Sequence, residues 1–518
     1  MIALRGAALW ALPGQFVEWS SPGGGAPDDH AGVTITDSHF PSSAFSTSIP
    51  VGCLAGLRVG TPRRATAFFG LAILAPALGV VGLALPAKLA AASPPAAAYI
   101  VEGASAQQAA AAVNAAGGTV TASLPIIDAV AARLSPGALR TVLAGGRLRV
   151  VADGAARATG GSYVGQGPTS HAGLATQLAR MDLGSVWSDA GGSGIGVALI
   201  DTGVAATPGI TRSRLVRSPD FSGGGPRLDG YGHGTFMAGL IAGNGTGGPS
   251  AVPGVAPGVT LVSVKVARSD GATTIGDVIA GIGWAVEHKE LYNIKVMSIS
   301  FGADMGLPPS ADPLDHAVQA AWAAGITVVA AAGNSGAGHV TSPGDDPAVI
   351  TVGAESTTGP YSSPSWSGYS ESKPDVLAPA VDVESLRSPG SRVDTAHPEA
   401  RVGGLYFIGS GTSMATALTA GAAALVIHDH PDATPDQIKA ALLASEGPAL
   451  VGRAGPIDVA AAERAVGSAG SAGSASTAAT VPAGSSASPA GPWQTMTWET
   501  MTWETMTWET MTWEDEGW

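Results

Sequence analysis

The chain has 518 residues, of which 45% are hydrophobic, 13% charged and 5% aromatic, and its formal net charge is −14. The balance of 40 Asp and Glu against 26 Lys and Arg argues against a nucleic-acid partner, which requires a basic surface. The single cysteine, Cys53, excludes an intrachain disulfide and any cysteine-rich metal site.

The N-terminal region contains one long apolar segment. Residues 1–60 are punctuated by Gly, Pro and Ser, and we interpret them as unstructured or as an over-extended N-terminus. Residues 65–87 carry no charge, follow Arg63 and Arg64, and precede a run of alanines. This pattern favours a secretory signal over residues 61–95, with a membrane anchor or a buried helix as alternatives. We therefore expect an extracellular protein, secreted or held at the cell surface.

A small domain is predicted at residues 98–154. Ser105 and Gln108 have the spacing of a capping box before an alanine-rich helix, and Ser135 with Pro136 begins a second helix. The strands are predicted at residues 99–101, 119–124, 126–134 and 148–153. The order β-α-β-β-α-β is that of a ferredoxin-like α+β domain. Residues 155–172, rich in Gly, Ala, Ser and Thr, predict a linker.

Residues 173–466 alternate short apolar runs with helical patterns, which predicts an α/β domain with a mainly parallel sheet and helices on both faces. The apolar runs that predict strands are 197–200, 261–266, 295–300, 326–332 and 349–354. Helices are predicted over 275–288 and 312–325, and a third follows the capping-box spacing of Thr434 and Gln437.

Four polar residues stand at the ends of these elements. Asp201 directly follows the first apolar run, and Asn334 follows a later one. His233 lies among glycines before a helix of small residues, and Ser413 lies at the start of a helix that is apolar all round. Because functional groups of open α/β sheets gather beyond the carboxyl ends of the strands, we expect the four residues to meet there.

These residue types suit acyl transfer. A serine becomes nucleophilic when a neighbouring base takes its proton, and a histidine can take that proton and later protonate the leaving amine. A buried aspartate fixes the tautomer of the imidazole, and an amide with a backbone N–H can hold the oxyanion.

The four motifs resemble those of the subtilisin-like (subtilase) serine peptidases. They are DTG at Asp201, HGT at His233, AAGN at Asn334 and GTSMA at Ser413, in the family's order, and the likeness covers residues 181–465. It implies that Ser413 is the nucleophile, His233 the general base and acid, Asp201 the orienting carboxylate and Asn334 an oxyanion donor. An inactive relative stays an alternative. Sedolisins, which share the GTS serine motif, lack the histidine.

The resemblance also implies protein or peptide substrates and a zymogen. The small domain would be a propeptide that inhibits its own protease domain, with self-cleavage within residues 154–172; a plain small domain is the alternative. In relatives, the edges of the SISFG and AAAGN segments form a substrate pocket, which here predicts an open, mostly apolar one. Its lining residues would be Ser300, Phe301, Gly302, Ala332 and Gly333, with Thr341 near its base.

The chemistry requires no cofactor. Many relatives bind structural calcium, and such a site stays an alternative here, although the sequence has no EF-hand-like ligand spacing. The histidines show no paired spacing for another metal. Asp220 and Asp229, two further carboxylates near His233, are interpreted as parts of a solvated loop. Ala417 and Phe236 depart from the usual family pattern without removing a catalytic group.

The C-terminal tail is unusual. Residues 467–491 are a Gly/Ser/Ala/Pro linker, and residues 492–518 repeat MTWET with a tryptophan every five residues. A five-residue step turns 500° around a helix, so the tryptophans form no stripe. The tail is interpreted as disordered or as a multivalent aromatic segment that binds a cell surface or another partner. The alternative function is therefore a surface-binding protein whose protease domain only supports the tail.

Overall fold

The computed structural model describes these residues: 2–4, 7–9, 15–20, 32–37, 95–158, 173–183, 191–223, 225, 228–247, 252–356, 359–452 and 454–471. The chain divides into two compact units, residues 1–90 and 91–518. The predicted signal segment, apart from its last residue, and the tryptophan-rich tail lie outside the described residues.

The first unit contains two antiparallel strand pairs, β1 (Ile2–Leu4) with β2 (Ala7–Leu9) and β3 (Gln15–Ser20) with β4 (Gly32–Asp37). We predicted no regular structure in residues 1–60, and for these strands the structure differs. The reason lies in composition, since β3 carries two aromatic residues and β4 is rich in β-branched ones, the types that favour strands.

The second unit begins with the predicted small domain. Its four antiparallel strands have the order β6-β7-β5-β8, and two helices pack on them. This is the predicted ferredoxin-like arrangement. Its elements are β5 (Ala97–Glu102), α1 (Ala106–Ala115), β6 (Thr119–Leu124), β7 (Ala129–Leu134), α2 (Pro136–Ala144) and β8 (Arg149–Ala152).

Two predicted boundaries of this region were wrong. The strand expected at 126–134 begins at Ala129, because Pro125–Ile127 form a 3-10 turn and Asp128 has a φ of 54°. Residues 155–158, expected to be linker, form strand β9 (Ala155–Ala158). Its sequence has no strand pattern, and its partners are the edges of two short strands of the main domain.

The main domain is built on a seven-stranded parallel sheet in the order β11-β12-β10-β14-β16-β17-β18. The five strands predicted from apolar runs are present, and β11 and β18, which were not predicted, extend the sheet at its two edges. The strands are β10 (Gly196–Asp201), β11 (Leu215–Asp220), β12 (Thr260–Lys265), β14 (Ile294–Ile299), β16 (Thr327–Ala331), β17 (Ile350–Glu355) and β18 (Val376–Pro379).

The sheet separates two hydrophobic cores. Along β10, Val197 and Leu199 belong to one core, whereas Ala198 and Ile200 belong to the other, as the alternation of side chains along a strand requires. Both faces of the sheet are therefore covered, which confirms the predicted α/β architecture.

Helices cover both faces. One face is covered by α4, α9, α10 and α11, and the other by α5 and α7. The helices are α3 (Leu174–Arg180), α4 (His233–Ala242), α5 (Ile275–Glu287), α6 (Lys289–Tyr292), α7 (Pro313–Ala323), α8 (Arg392–Ala396), α9 (Thr412–Asp429), α10 (Pro435–Ala444) and α11 (Val459–Ser471). The capping box of Thr434 and Gln437 is formed at the start of α10. Helix α11 runs five residues past the predicted domain end at 466.

Two small sheets complete the domain. One joins β19 (Val383–Leu386), β20 (Arg401–Val402) and β21 (Tyr406–Gly409), and the other has the order β13-β9-β15. In the second, β9 lies between β13 (Thr273–Thr274) and β15 (Phe301–Gly302) and pairs antiparallel with both.

Within the described residues, no helix has the length and apolar character needed to span a bilayer.

Candidate active site

Asp201 and His233 form a buried pair. Asp201 is the last residue of β10 and His233 the first of α4, and their side chains are 1% and 0% exposed. Nδ1 of His233 lies 2.8 Å from Oδ1 and 2.9 Å from Oδ2 of Asp201. Because a carboxylate only accepts, Nδ1 carries the proton, which leaves the lone pair of the neutral ring on Nε2.

Two glycines set the position of this pair. Gly232, directly before α4, has a φ of 113°, a conformation that side chains disfavour. A Cβ at Gly234 would lie 2.1 Å from the carbonyl oxygen of Gly203 and 3.0 Å from Oδ1 of Asp201. A glycine at position 234, directly after His233, is therefore needed for α4 to approach the end of β10.

The environment favours a charged imidazole. Burial acts to lower the pKa of His233, but the negative charge of Asp201, its hydrogen bond and the charge of Asp229 outweigh burial and raise the pKa above its ordinary value. Nε2 is buried and makes no hydrogen bond with the described residues. The ring can therefore accept a proton at Nε2 and stabilise the cation that forms.

Ser413 is the second residue of α9, and its side chain is fully buried. Helices α4 and α9 belong to the same core and pack on each other, with the predicted residues at their N-termini. The N-terminus of an α-helix carries unsatisfied N–H groups and a partial positive charge. Negative charge that develops on a group bound beside Ser413 would therefore be stabilised.

Asn334 is oriented by the same helix. Its Oδ1 accepts hydrogen bonds from the backbone N–H and the hydroxyl of Thr412, both at 3.0 Å. Since both partners donate, the atom facing them is the oxygen, and the amide nitrogen is turned away from Thr412. Asn334 is thus held by Thr412, the residue that directly precedes Ser413.

The predicted pocket residues lie on two neighbouring segments. The hydroxyl of Thr412 accepts from the backbone N–H of Gly333 at 3.2 Å, which joins this segment to α9. Thr341 lies beside Gly333, with its Oγ1 3.1 Å from the position a Cβ of Gly333 would take. Phe301 and Gly302 form β15, and the buried side chain of Phe301 belongs to the core that also contains Ala156 of β9.

One carboxylate was misplaced by sequence reasoning. Asp229 was expected in a solvated loop but is only 4% exposed. Its Oδ1 accepts from the hydroxyl of Thr202 and the N–H of Gly232, and its Oδ2 from the N–H and the hydroxyl of Thr235. The one available signal was its position four residues before His233. Asp220 ends β11 and accepts from Ser222.

Among the described residues, no group of three or more His, Cys, Asp or Glu side chains is arranged to hold a metal ion. The proton-transfer and hydrogen-bonding groups described above are all protein groups. They suit attack by a hydroxyl on a carbonyl carbon.

The comparison with family models gives a match to the subtilase family over residues 192–477, more than half of the chain. The chain belongs to the subtilase family. Among curated proteins, this subtilase is 40% identical over 266 residues to serine protease AprX of Bacillus subtilis, covering 48% of this chain and 60% of AprX. It is 35% identical over 255 residues to subtilisin DY of Bacillus licheniformis, covering 48% of this chain and 82% of that protein.

A solved structure is similar in fold. The crystal structure of fervidolysin from Fervidobacterium pennivorans, described as a keratinolytic enzyme related to subtilisin, has a TM-score of 0.58 and 23% sequence identity. The match covers 71% of this subtilase and 61% of fervidolysin. At this identity the likeness supports the fold, and it confirms the subtilisin-like architecture predicted from the motifs.

Proposed function

We propose that this subtilase is a serine endopeptidase that hydrolyses peptide bonds through Ser413, His233 and Asp201. The observation that carries the proposal is the fully buried His233–Asp201 pair, with Nε2 unbonded, at the N-terminus of a helix packed against the helix of Ser413. Family membership supports it, since the curated relatives include proteases of the same family.

In the proposed reaction, Nε2 of His233 takes the proton of the Ser413 hydroxyl as its oxygen attacks the substrate carbonyl. The resulting oxyanion accepts hydrogen bonds from the amide of Asn334 and the backbone N–H of Ser413. Collapse breaks the C–N bond, and His233 returns the proton to the leaving amine. Water then repeats the sequence on the acyl-enzyme and releases the acid.

The substrate would bind as an added β-strand. Strands β13 and β15 present facing edges, and β9 already uses both of them. A peptide in the same slot would gain backbone hydrogen bonds on both sides, with side-chain preference set by pockets beneath alternate residues. Ser300, Gly302, Ala332, Gly333 and Thr341 are proposed to line the pocket next to the scissile bond. Phe301, which was predicted with them, is buried in the core instead.

We infer that the small domain is an inhibitory propeptide. It contacts the main domain where the carboxylate of Asp153 accepts from the N–H of Gly276 at 2.8 Å and the carbonyl of Gly154 accepts from the N–H of Ile275 at 3.0 Å. The chain then enters the slot as β9 (Ala155–Ala158). Self-cleavage would follow β9, within the predicted segment 154–172, and the product strand would block the slot.

Export is proposed from the apolar segment within 61–95, and attachment to a surface or partner from the tail at 492–518. Removal of the tail should leave peptide hydrolysis unchanged and release the enzyme from cells into the medium. Equal amounts of cell-bound enzyme with and without the tail would contradict the attachment.

The test of the peptidase proposal is labelling with a serine-directed fluorophosphonate alongside casein hydrolysis. The wild type should label and hydrolyse, whereas Ser413→Ala should do neither and should accumulate as the unprocessed chain. Thr419→Val is the matched control, because Thr419 is a buried hydroxyl of the same helix whose Oγ1 makes no hydrogen bond among the described residues. Labelling of Ser413→Ala at the wild-type rate would refute the proposal.

A further inference from the structure

Asp229 ties together the two elements that carry the His233–Asp201 pair. The hydroxyl of Thr202 donates to Asp229 at 2.8 Å and accepts from the N–H of Gly234 at 2.8 Å. The N–H of Thr202 in turn donates to Oδ1 of Asp201 at 2.7 Å. A continuous chain of hydrogen bonds therefore runs from Asp229 through Thr202 to the carboxylate that holds the imidazole.

The same carboxylate organises the first turn of α4. It accepts from the N–H of Gly232 at 2.6 Å and from the N–H and hydroxyl of Thr235 at 2.8 and 2.6 Å. The backbone carbonyl oxygen of Asp229 accepts from the hydroxyl of Ser388 at 2.9 Å, which also fixes the backbone at Asp229. Since the partners flank His233 on both sides in sequence, a shift of Asp229 would move the ring.

All four side-chain hydrogen bonds are donated to Asp229, the pattern that suits an ionised carboxylate. Burial raises its pKa, and the bonds from Thr235, Gly232 and Thr202 oppose that rise. A carboxylate enclosed in this way contributes negative charge close to His233 without access to solvent that would screen it.

A buried lysine lies among the carboxylates of this region. Lys265, 3% exposed, donates to the carbonyl oxygens of Thr202 and Ala267 and faces the carboxylates of Asp220, Asp229 and Asp201.

Burial raises the pKa of Tyr231, the charges of Asp201 and Asp229 add to the rise, and Arg392 and Arg157 oppose it. Asp229 thus interacts electrostatically with His233, Lys265 and Tyr231, whereas Asp220 and Asp201 act on the same Lys265.

We propose that Asp229 is a positioning residue for the peptidase reaction, which orients Asp201 and His233 through Thr202 and stabilises the imidazolium by its charge. The inference rests on the proposed function of the same site. Asp229 acts on the reaction through His233, so its removal should lower the rate of chemistry and leave substrate binding unchanged.

The test is Asp229→Asn, which keeps the size of the side chain, removes its charge and replaces one accepting oxygen by an amide nitrogen that cannot accept. We expect kcat to fall at least about tenfold, because hydrogen bonds to a charged group are lost, with KM changed less than about twofold. The acid limb of the kcat/KM profile should move to lower pH, because His233 loses a neighbouring negative charge. A purely structural role would reduce the concentration of active sites, measured by fluorophosphonate titration, without moving the profile.

Two further variants keep the test decisive. Thr202→Val removes the hydroxyl that links Asp229 to Gly234, and it should lower kcat in the same direction if Asp229→Asn yields too little folded enzyme. Asp220→Asn is the matched control, because the hydrogen bonds of its side chain go to Ser222, and its pH profile should stay as in the wild type. Wild-type kcat and pH profile in both Asp229→Asn and Thr202→Val would overturn the inference.

A double-mutant cycle separates action through Asp201 from an independent effect. In an Asp201→Asn background, Asp229→Asn should reduce kcat by less than it does in the wild type, because the part of its effect that passes through Asp201 is already lost there. A full tenfold loss in that background would overturn the inference. If the wild type itself takes up no fluorophosphonate, the proposed function fails instead, and the two failures are therefore distinguishable.

Discussion

Binding of the small domain to the main domain should weaken as pH rises. Asp277, in the first turn of α5, has its pKa raised from 3.8 to about 6, first by burial and further by the neighbouring carboxylate of Asp153. The pKa of Asp153 is also raised by its burial at the contact. A group that binds its proton more tightly in the complex stabilises the complex at low pH, and this stabilisation is lost as pH rises through about 6.

The size of the effect follows from the two pKa values of Asp277. If its pKa fell fully to 3.8 on release, the dissociation constant would rise about 25-fold between about pH 4.5 and about pH 7. The capping box with Thr274 keeps part of the environment after release. We therefore expect a rise of about 5- to 10-fold over that range.

The measurement uses the self-cleaved complex. Aliquots are equilibrated at each pH and then assayed briefly at one common pH for hydrolysis of a peptide substrate, so that the burst reports free enzyme. Asp277→Asn should flatten the pH dependence, and Asp270→Asn, an exposed acid of the preceding loop, should leave it unchanged. A burst that falls with rising pH, or an unchanged pH dependence in Asp277→Asn, would show that Asp277 does not control the release of the small domain.

Three further predictions concern the active site. Asn334→Ala should lower kcat about 100- to 1000-fold with little change in KM, a magnitude taken from the corresponding subtilisin substitution; a KM effect alone would contradict an oxyanion role. Asp201→Asn should lower kcat about 10⁴-fold, because the wrong tautomer of His233 is then favoured. Steady-state kinetics with active-site titration measure this loss, and a much smaller one would contradict the orienting role of Asp201. Gly234→Ala should abolish activity and lower Tm, since its Cβ would lie 2.1 Å from the carbonyl oxygen of Gly203; a wild-type melting curve would contradict this.

Local sequence signals were sufficient to predict the candidate site residues and the α/β architecture of the main domain. The capping box at Thr434 and Gln437 and the buried helix after Ser413 depend on neighbours within a few residues, so their patterns are readable in the sequence. The apolar runs of the central strands identify a sheet buried on both faces. The contact of Asp201 with His233 could be predicted because Asp201 ends a strand and His233 begins a helix. Both ends lie at the edge of the sheet where the strands have their carboxyl ends.

The remaining features depend on contacts distant in sequence. Asp229 was expected to be solvated because its loop carries no pattern, and its burial arises only when Thr202 and Thr235 fold around it. Strand β9, Ala155–Ala158, has no alternation of its own and becomes a strand because β13 and β15 offer it two edges. Neither contact is visible before the sheet is assembled.

Peptide mapping after fluorophosphonate labelling tests most directly whether His233 activates Ser413 at a shared site, as proposed. The label should reside on Ser413, labelling should accelerate with pH as His233 deprotonates, and His233→Ala should label at least about 1000-fold more slowly. A label on another residue, or an unchanged rate in His233→Ala, would contradict the proposal.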